Sequence, residues 1–151
     1  MAAANTSQIF CSKGVIGWQT LTTANTAKDG TGTVALIFTA DPSNGGRVER
    51  IRAMPLGTNT ASVLRIFINN GSDPTVAANN TMYAQATLAA TTNSEVAALA
   101  TVELPNALTI ADGTAFPLVL PPGYRLYATL GTTVAAGYAV CAVGGSYVAN
   151  T

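Results

Sequence analysis

The chain is 151 residues long, with seven basic residues, seven acidic residues and no histidine. That length suits one domain whose core holds without disulfides, and the balanced charge excludes the basic field that draws proteins to nucleic acid or anionic membranes. Only 9% of residues are charged, against about 25% in ordinary soluble domains. The surface is therefore expected to be covered by neighbouring copies in an assembly, or else clad in Thr, Ser, Asn and Ala, because a net charge near zero removes the repulsion that keeps a free monomer dispersed.

Residues 1–13 are small and polar and read as an N-terminal arm or leader, leaving 14–151 as a single domain. They lack the basic and apolar regions of a signal peptide, and no apolar run approaches the ~20 residues of a spanning helix. Synthesis in the cytoplasm with no membrane partner is expected. Residues 15–22 have the β-branched and aromatic content of a first strand, with Trp18 assigned to the core. The cluster at 28–33 is a turn without the glycine spacing or lysine of a phosphate-binding loop. Residues 33–40 form a nearly continuous apolar run, expected to be a strand covered on both faces, and 41–46 close it with dense turn chemistry.

From 47 to 56 the sequence alternates: Val48, Arg50, Arg52 and Met54 share one parity, Glu49, Ile51 and Ala53 the other. With Arg47 and Arg65, the two arginines of that face are the one concentration of charge in the chain. It reads either as a solvated strand face partly neutralised by Glu49 or as a contact surface for an acidic neighbour, since guanidinium forks pair with carboxylates at interfaces.

Residues 61–68 form the strongest strand pattern and belong inside a sheet, where their edges are protected. Residues 75–90 read weakly as strand. Residues 94–104 are ambiguous: Ser94 could cap a helix, yet the segment ends like a strand. A turn at Asp112-Gly113 precedes a strand over 116–120. Pro122-Gly123 then turns the chain into 124–130, where Tyr124, Leu126, Ala128 and Leu130 face inward and Arg125, Tyr127 and Thr129 face the other way. Residues 137–143 form a last apolar strand and 144–147 a terminal turn. About eight to nine short strands between Gly, Pro and Asn turns predict an all-β fold, an antiparallel β-sandwich or jelly-roll-like domain.

Without histidine, Ser-His-Asp and Cys-His catalysis is excluded. Asp29, Asp41, Asp73 and Asp112 stand in turns, where aspartate has a structural role; only Glu49, Glu95 and Glu103 remain for a glycosidase-like pair, and no enzyme is expected. Cys11 and Cys141 lack the spacing of a zinc site and read as buried thiols, or as one disulfide if the terminal strands adjoin. No cofactor, metal or small-molecule substrate is expected.

The runs Asp29-Gly30-Thr31-Gly32-Thr33, Val48-Glu49-Arg50-Ile51-Arg52, Val63-Leu64-Arg65-Ile66-Phe67-Ile68-Asn69, Leu120-Pro121-Pro122-Gly123-Tyr124-Arg125-Leu126 and Gly144-Gly145-Ser146-Tyr147 together resemble a family of small β-rich proteins of tailed bacteriophages. The resemblance covers most of 29–147, with Ser146 where an acidic residue is expected. It implies a virion component on the capsid exterior: a decoration (cement) protein, expected as a homotrimer bound to the major capsid protein. Arg47, Arg50, Arg52, Arg65, Arg125 and Tyr127 are the candidate interface residues. A tail, baseplate or fibre component and a carbohydrate-binding sandwich are the alternatives, the latter needing an aromatic platform from Trp18, Tyr83, Tyr124, Tyr127, Tyr138 or Tyr147.

Overall fold

A computed structural model describes residues 13–104, 107–109 and 115–147. The arm apart from Lys13, Cys11 and the Asp112-Gly113 turn lie outside them. The described residues form a two-layered antiparallel β-sandwich. One layer contains β1 (Lys13–Leu21), β3 (Gly46–Pro55), β6 (Val102–Leu104), β7 (Ala107–Thr109), β8 (Ala115–Leu120) and β10 (Tyr138–Ser146). Its order is β1-β10-β3-β8-β7, with β6 also beside β3. The second layer contains β2 (Ala35–Thr39), β4 (Ser62–Asn69), β5 (Asn80–Leu88) and β9 (Arg125–Leu130), in the order β2-β9-β4-β5.

Period-2 alternation places one side-chain set of each sheet between the layers. Ile51, Ala53, Val140 and Ala142 from the first sheet meet Leu64, Ile66, Leu126 and Leu130 from the second, all fully buried. Each large aliphatic side chain there contributes at most about 1.5–3 kcal/mol of transfer free energy. β4 lies between β5 and β9, in the interior of its sheet, as its apolar pattern requires.

The two-proline segment joins the layers. Leu120 ends β8 in one sheet and Arg125 begins β9 in the other, and Tyr124 N–H donates to Pro121 O at 3.2 Å across Gly123 at φ 74°. A positive φ at the third turn position is the geometry that favours glycine.

Three expectations need correction, and one open reading is decided. Trp18 is not core: it is 67% exposed on the outer face of β1. Residues 33–40 are not covered throughout, because a register irregularity between Leu36 and Phe38 buries Ile37 and Phe38 together and leaves Leu36 partly in solvent. Gly144 and Gly145 are not a terminal turn but part of β10. There the pairing with β3 shifts, with Val143 opposite Arg50 and Gly144 opposite Val48, so that Glu49 is an extra residue. This bulge turns Val48 inward while Arg50 and Arg52 stay outward. Gly144 makes it feasible, since a Cβ there would lie 2.0 Å from the Arg47 carbonyl oxygen. The segment 94–104, which the sequence leaves open between helix and strand, is not helical at 94–100. Ser94 Oγ accepts N–H bonds from Val96 (3.2 Å) and Ala97 (3.1 Å), yet only a bend follows, and strand resumes at Val102.

Candidate interaction face

Each described aspartate is engaged in its own turn. Asp29 accepts from the backbone N–H (3.0 Å) and hydroxyl (2.7 Å) of Thr31, Asp73 from those of Thr75 (2.9 and 2.8 Å), and Asp41 from the N–H groups of Ser43 (2.9 Å) and Asn44 (2.8 Å). The bonds favour the ionised form and hold all three carboxyls below their ordinary pKa: the Thr31 hydroxyl leads for Asp29, the Ser43 N–H for Asp41 and the Thr75 N–H for Asp73. Glu49 pairs with Arg47 (Nε–Oε1 2.5 Å), Glu103 with Arg52 (2.8 Å) and Arg50 (3.6 Å), and Glu95 accepts from Asn93 (3.2 Å). Among the described residues, no group of three or more His, Cys, Asp or Glu side chains is placed to hold a metal.

The arginines separate into two places. Arg50 and Arg52 project from the outer face of the first sheet, on β3, and share the Glu103 carboxylate of β6. Two guanidiniums on one carboxylate leave that face with one excess positive charge. Arg47 forms a fork with Glu49, its Nη2 donating to Oε2 at 3.3 Å, and is neutralised in place.

Arg65 and Tyr127 belong to the other sheet and are buried, with 9% and 7% exposure. Sequence parity placed Tyr127 correctly on the side away from the sandwich core; it assigned Arg65 no face. The physical reason Arg65 is not a surface residue is the segment between β1 and β2, which folds over that side. Its Asn25 N–H donates to Leu130 O (2.7 Å), its Asn25 O accepts from Arg65 Nη1 (3.0 Å), and Gly30 packs against Phe67 and Asn80. Asn25 holds this cover in shape by donating to Thr31 O (2.7 Å) and Thr33 O (2.9 Å). Arg125, opposite Asn69 and Thr39 at the end of the same sheet, is half-buried.

Strand register then reveals the neighbours of Arg50 and Arg52. Trp18, Cys141, Arg52 and Glu103 form one cross-strand row, Ile16, Val143 and Arg50 the next, and Thr20, Ala139 and Met54 a third. Trp18 is 67% and Ile16 59% exposed. This face has an apolar half on β1 and β10 and a cationic half on β3. Cys141 lies at its centre as a half-buried free thiol opposite Trp18, not in the interior. Sequence reasoning found the arginines, assigned Trp18 to the core while naming it as a platform only in the carbohydrate-binding alternative, and missed Ile16. The signal available was the shared parity of Trp18 and Ile16 on a strand near the chain end, but only the pairing of β1 with β10 shows which parity faces solvent.

Beside this face, an open groove of about 370 Å³ runs between edge strands β1 and β2, lined mainly by Val15, Ile16, Trp18, Leu36 and Phe38. A second recess of about 290 Å³ lies between Leu88, Leu99, Val102 and Tyr138. Tyr138 donates its hydroxyl to Ala89 O at 3.0 Å, and burial raises its pKa. Comparison with protein-family models, curated proteins and solved structures finds no match to this chain.

Proposed function

We propose that this chain is a structural virion protein of a tailed bacteriophage, a decoration or cement protein that docks the outer face of its six-stranded sheet on a shell of major capsid protein. The observation that carries this reading is the exposure of Trp18 and Ile16 in register with Arg52 and Arg50. Trp and Arg are the residues that dominate protein interfaces, and an apolar centre beside a charged margin is the usual anatomy of one. The scarcity of charge, and the engagement of every described carboxylate in a turn or a surface pair, fit a protein that acts by burying surface. The phage assignment rests on the sequence resemblance.

Bound to a shell, the face covers Trp18 and Ile16 and offers its excess guanidinium charge to an acidic residue of the capsid. The test is co-sedimentation of the purified chain with particles lacking it, at low and high salt. Trp18→Ala is expected to weaken binding by roughly 30-fold or more, as about 2 kcal/mol at an interface hot spot implies. Arg50→Ala is expected to weaken binding less and to flatten its salt dependence. No binding to particles by the wild-type chain, or full binding by Trp18→Ala, overturns the reading. Localisation in a virion reconstruction separates head from tail, baseplate or fibre. Because Trp18 is the exposed aromatic residue among those described, it is also the platform a carbohydrate-binding reading requires. Glycan-array binding lost on Trp18→Ala would favour that alternative.

A further inference from the structure

The geometry points to self-association through the edge of β1 that no other described strand pairs, pairing antiparallel with β1 of a second copy about a two-fold axis at Gly17. Edge strands in natural proteins are kept short, bulged, charged or covered, because unpaired backbone groups template further pairing. The other sheet's two edge strands, β2 and β5, follow that rule, β2 with five residues and an irregular register and β5 with a bulge against β4. β1 does not. It runs for nine residues in unbroken register with β10, contains no proline and carries one charge, Lys13, at its very start. Its outward side chains Ile16 and Trp18 stand largely in solvent.

The sequence of β1 is complementary to itself in one register. Gly17 is the midpoint of Lys13–Leu21, so pairing about it engages all nine residues. Ile16 of each copy then lies opposite Trp18 of the other, an aromatic and β-branched pair of the kind that stabilises sheets. Centring the axis two residues away in either direction separates these side chains and shortens the overlap. No like charges meet, because Lys13 lies opposite Leu21. The two Lys13 positions are about 27 Å apart at the rise of an antiparallel strand. Each Lys13 instead contributes to holding its own Asp41 ionised.

The extent of the contact sets its strength. A nine-residue seam is about 30 Å long and about 10 Å deep, roughly 300 Å² per copy, well below the ~800 Å² per partner of a stable complex. The pairing is therefore a reversible, concentration-dependent dimer, and it joins two outer faces into one surface with Cys141, Trp18, Ile16 and Val143 at its centre.

Sedimentation velocity of the wild-type chain from ~10 µM to ~1 mM is expected to show a monomer–dimer equilibrium. Trp18→Lys is expected to shift it at least ten-fold toward monomer while leaving the circular dichroism spectrum unchanged. With Cys11→Ser and Cys141→Ser in place, the double variant Ile16→Cys/Trp18→Cys is expected to form a covalent dimer on mild oxidation. Neither single variant should do so, since each cysteine then faces a non-cysteine side chain. A wild-type chain that stays monomeric at ~1 mM, associates as a trimer, or cross-links equally well through the single variants overturns the proposal. These measurements use the isolated chain, so their failure leaves the particle-binding test standing.

Discussion

Gly17 is the position where one added methyl group should be felt most. It lies on β1 with its missing side chain directed at the backbone of β2, and a Cβ there would stand 2.1 Å from the Ile37 carbonyl oxygen and 2.9 Å from its carbon. Both obstructing atoms are main chain, so no side-chain rotation relieves the contact. Gly17→Ala must therefore push β1 and β2 apart by about 1 Å, at a cost of roughly 2–3 kcal/mol for an overpacked site. At about 2.1 cal/mol/K of unfolding entropy per residue, this lowers Tm by roughly 6–10 °C. The control is Gly14→Ala on the same strand, where a Cβ meets nothing within 4 Å. Thermal melts at dilute concentration, so that self-association does not contribute, should show Gly14→Ala within about 2 °C of wild type, the shift a surface change of ~0.5 kcal/mol produces. Equal melting temperatures for the two variants would refute the close approach of the sheets at Gly17.

Asn59 is buried, donates to Gly57 O (3.2 Å) and Gly137 O (3.0 Å), and accepts from the N–H groups of Ala136 (2.9 Å) and Gly137 (2.8 Å). Asn59→Ala is expected to cost about 3–4 kcal/mol in urea unfolding, roughly one per bond lost, and to speed hydrogen exchange at 136–137. Asp29, Asp41 and Asp73 have folded pKa values below the unfolded 3.8, so the stability they provide is present above that value and is lost as pH falls through the folded values. Melting temperature should decline below about pH 4, and the triple Asp→Asn variant, which cannot titrate, should show a shallower decline. Tyr127→Ala should cost about 3–4 kcal/mol as a buried aromatic truncation, whereas Trp18→Ala should stay within about 1 kcal/mol. The reverse order in chemical denaturation would contradict their placement.

The β class was legible because alternation and turn chemistry are local properties. Tyr124, Leu126, Ala128 and Leu130 were assigned inward, and Leu126, Ala128 and Leu130 form part of the buried core. The arginine pair on β3 was legible too, although Val48 was grouped with it, because a one-residue bulge reverses parity without any mark in the strand that carries it. The glycine that permits the bulge lies almost a hundred residues away on β10, in a pair that read as a turn. Tyr127 and Arg65 show the opposite limit. The direction of Tyr127 was right while Arg65 was given none, and the burial of Arg65 follows from a covering segment whose docking depends on Asn25, which no strand periodicity includes.

What the sequence determined by itself is the all-β class, most of the strands and the turns between them, and a charge content too low to direct binding by long-range fields. Those follow from φ/ψ preference and from side-chain period, which act over a few residues. Tertiary structure decided which face of each strand meets water. It put β1 at a sheet edge beside β10, exposed Trp18 and Ile16 in line with Arg52 and Arg50, buried Tyr127 and sealed Arg65 beneath a loop. Exposure depends on what packs above a residue, and that neighbour is fixed by pairings between segments far apart in the chain.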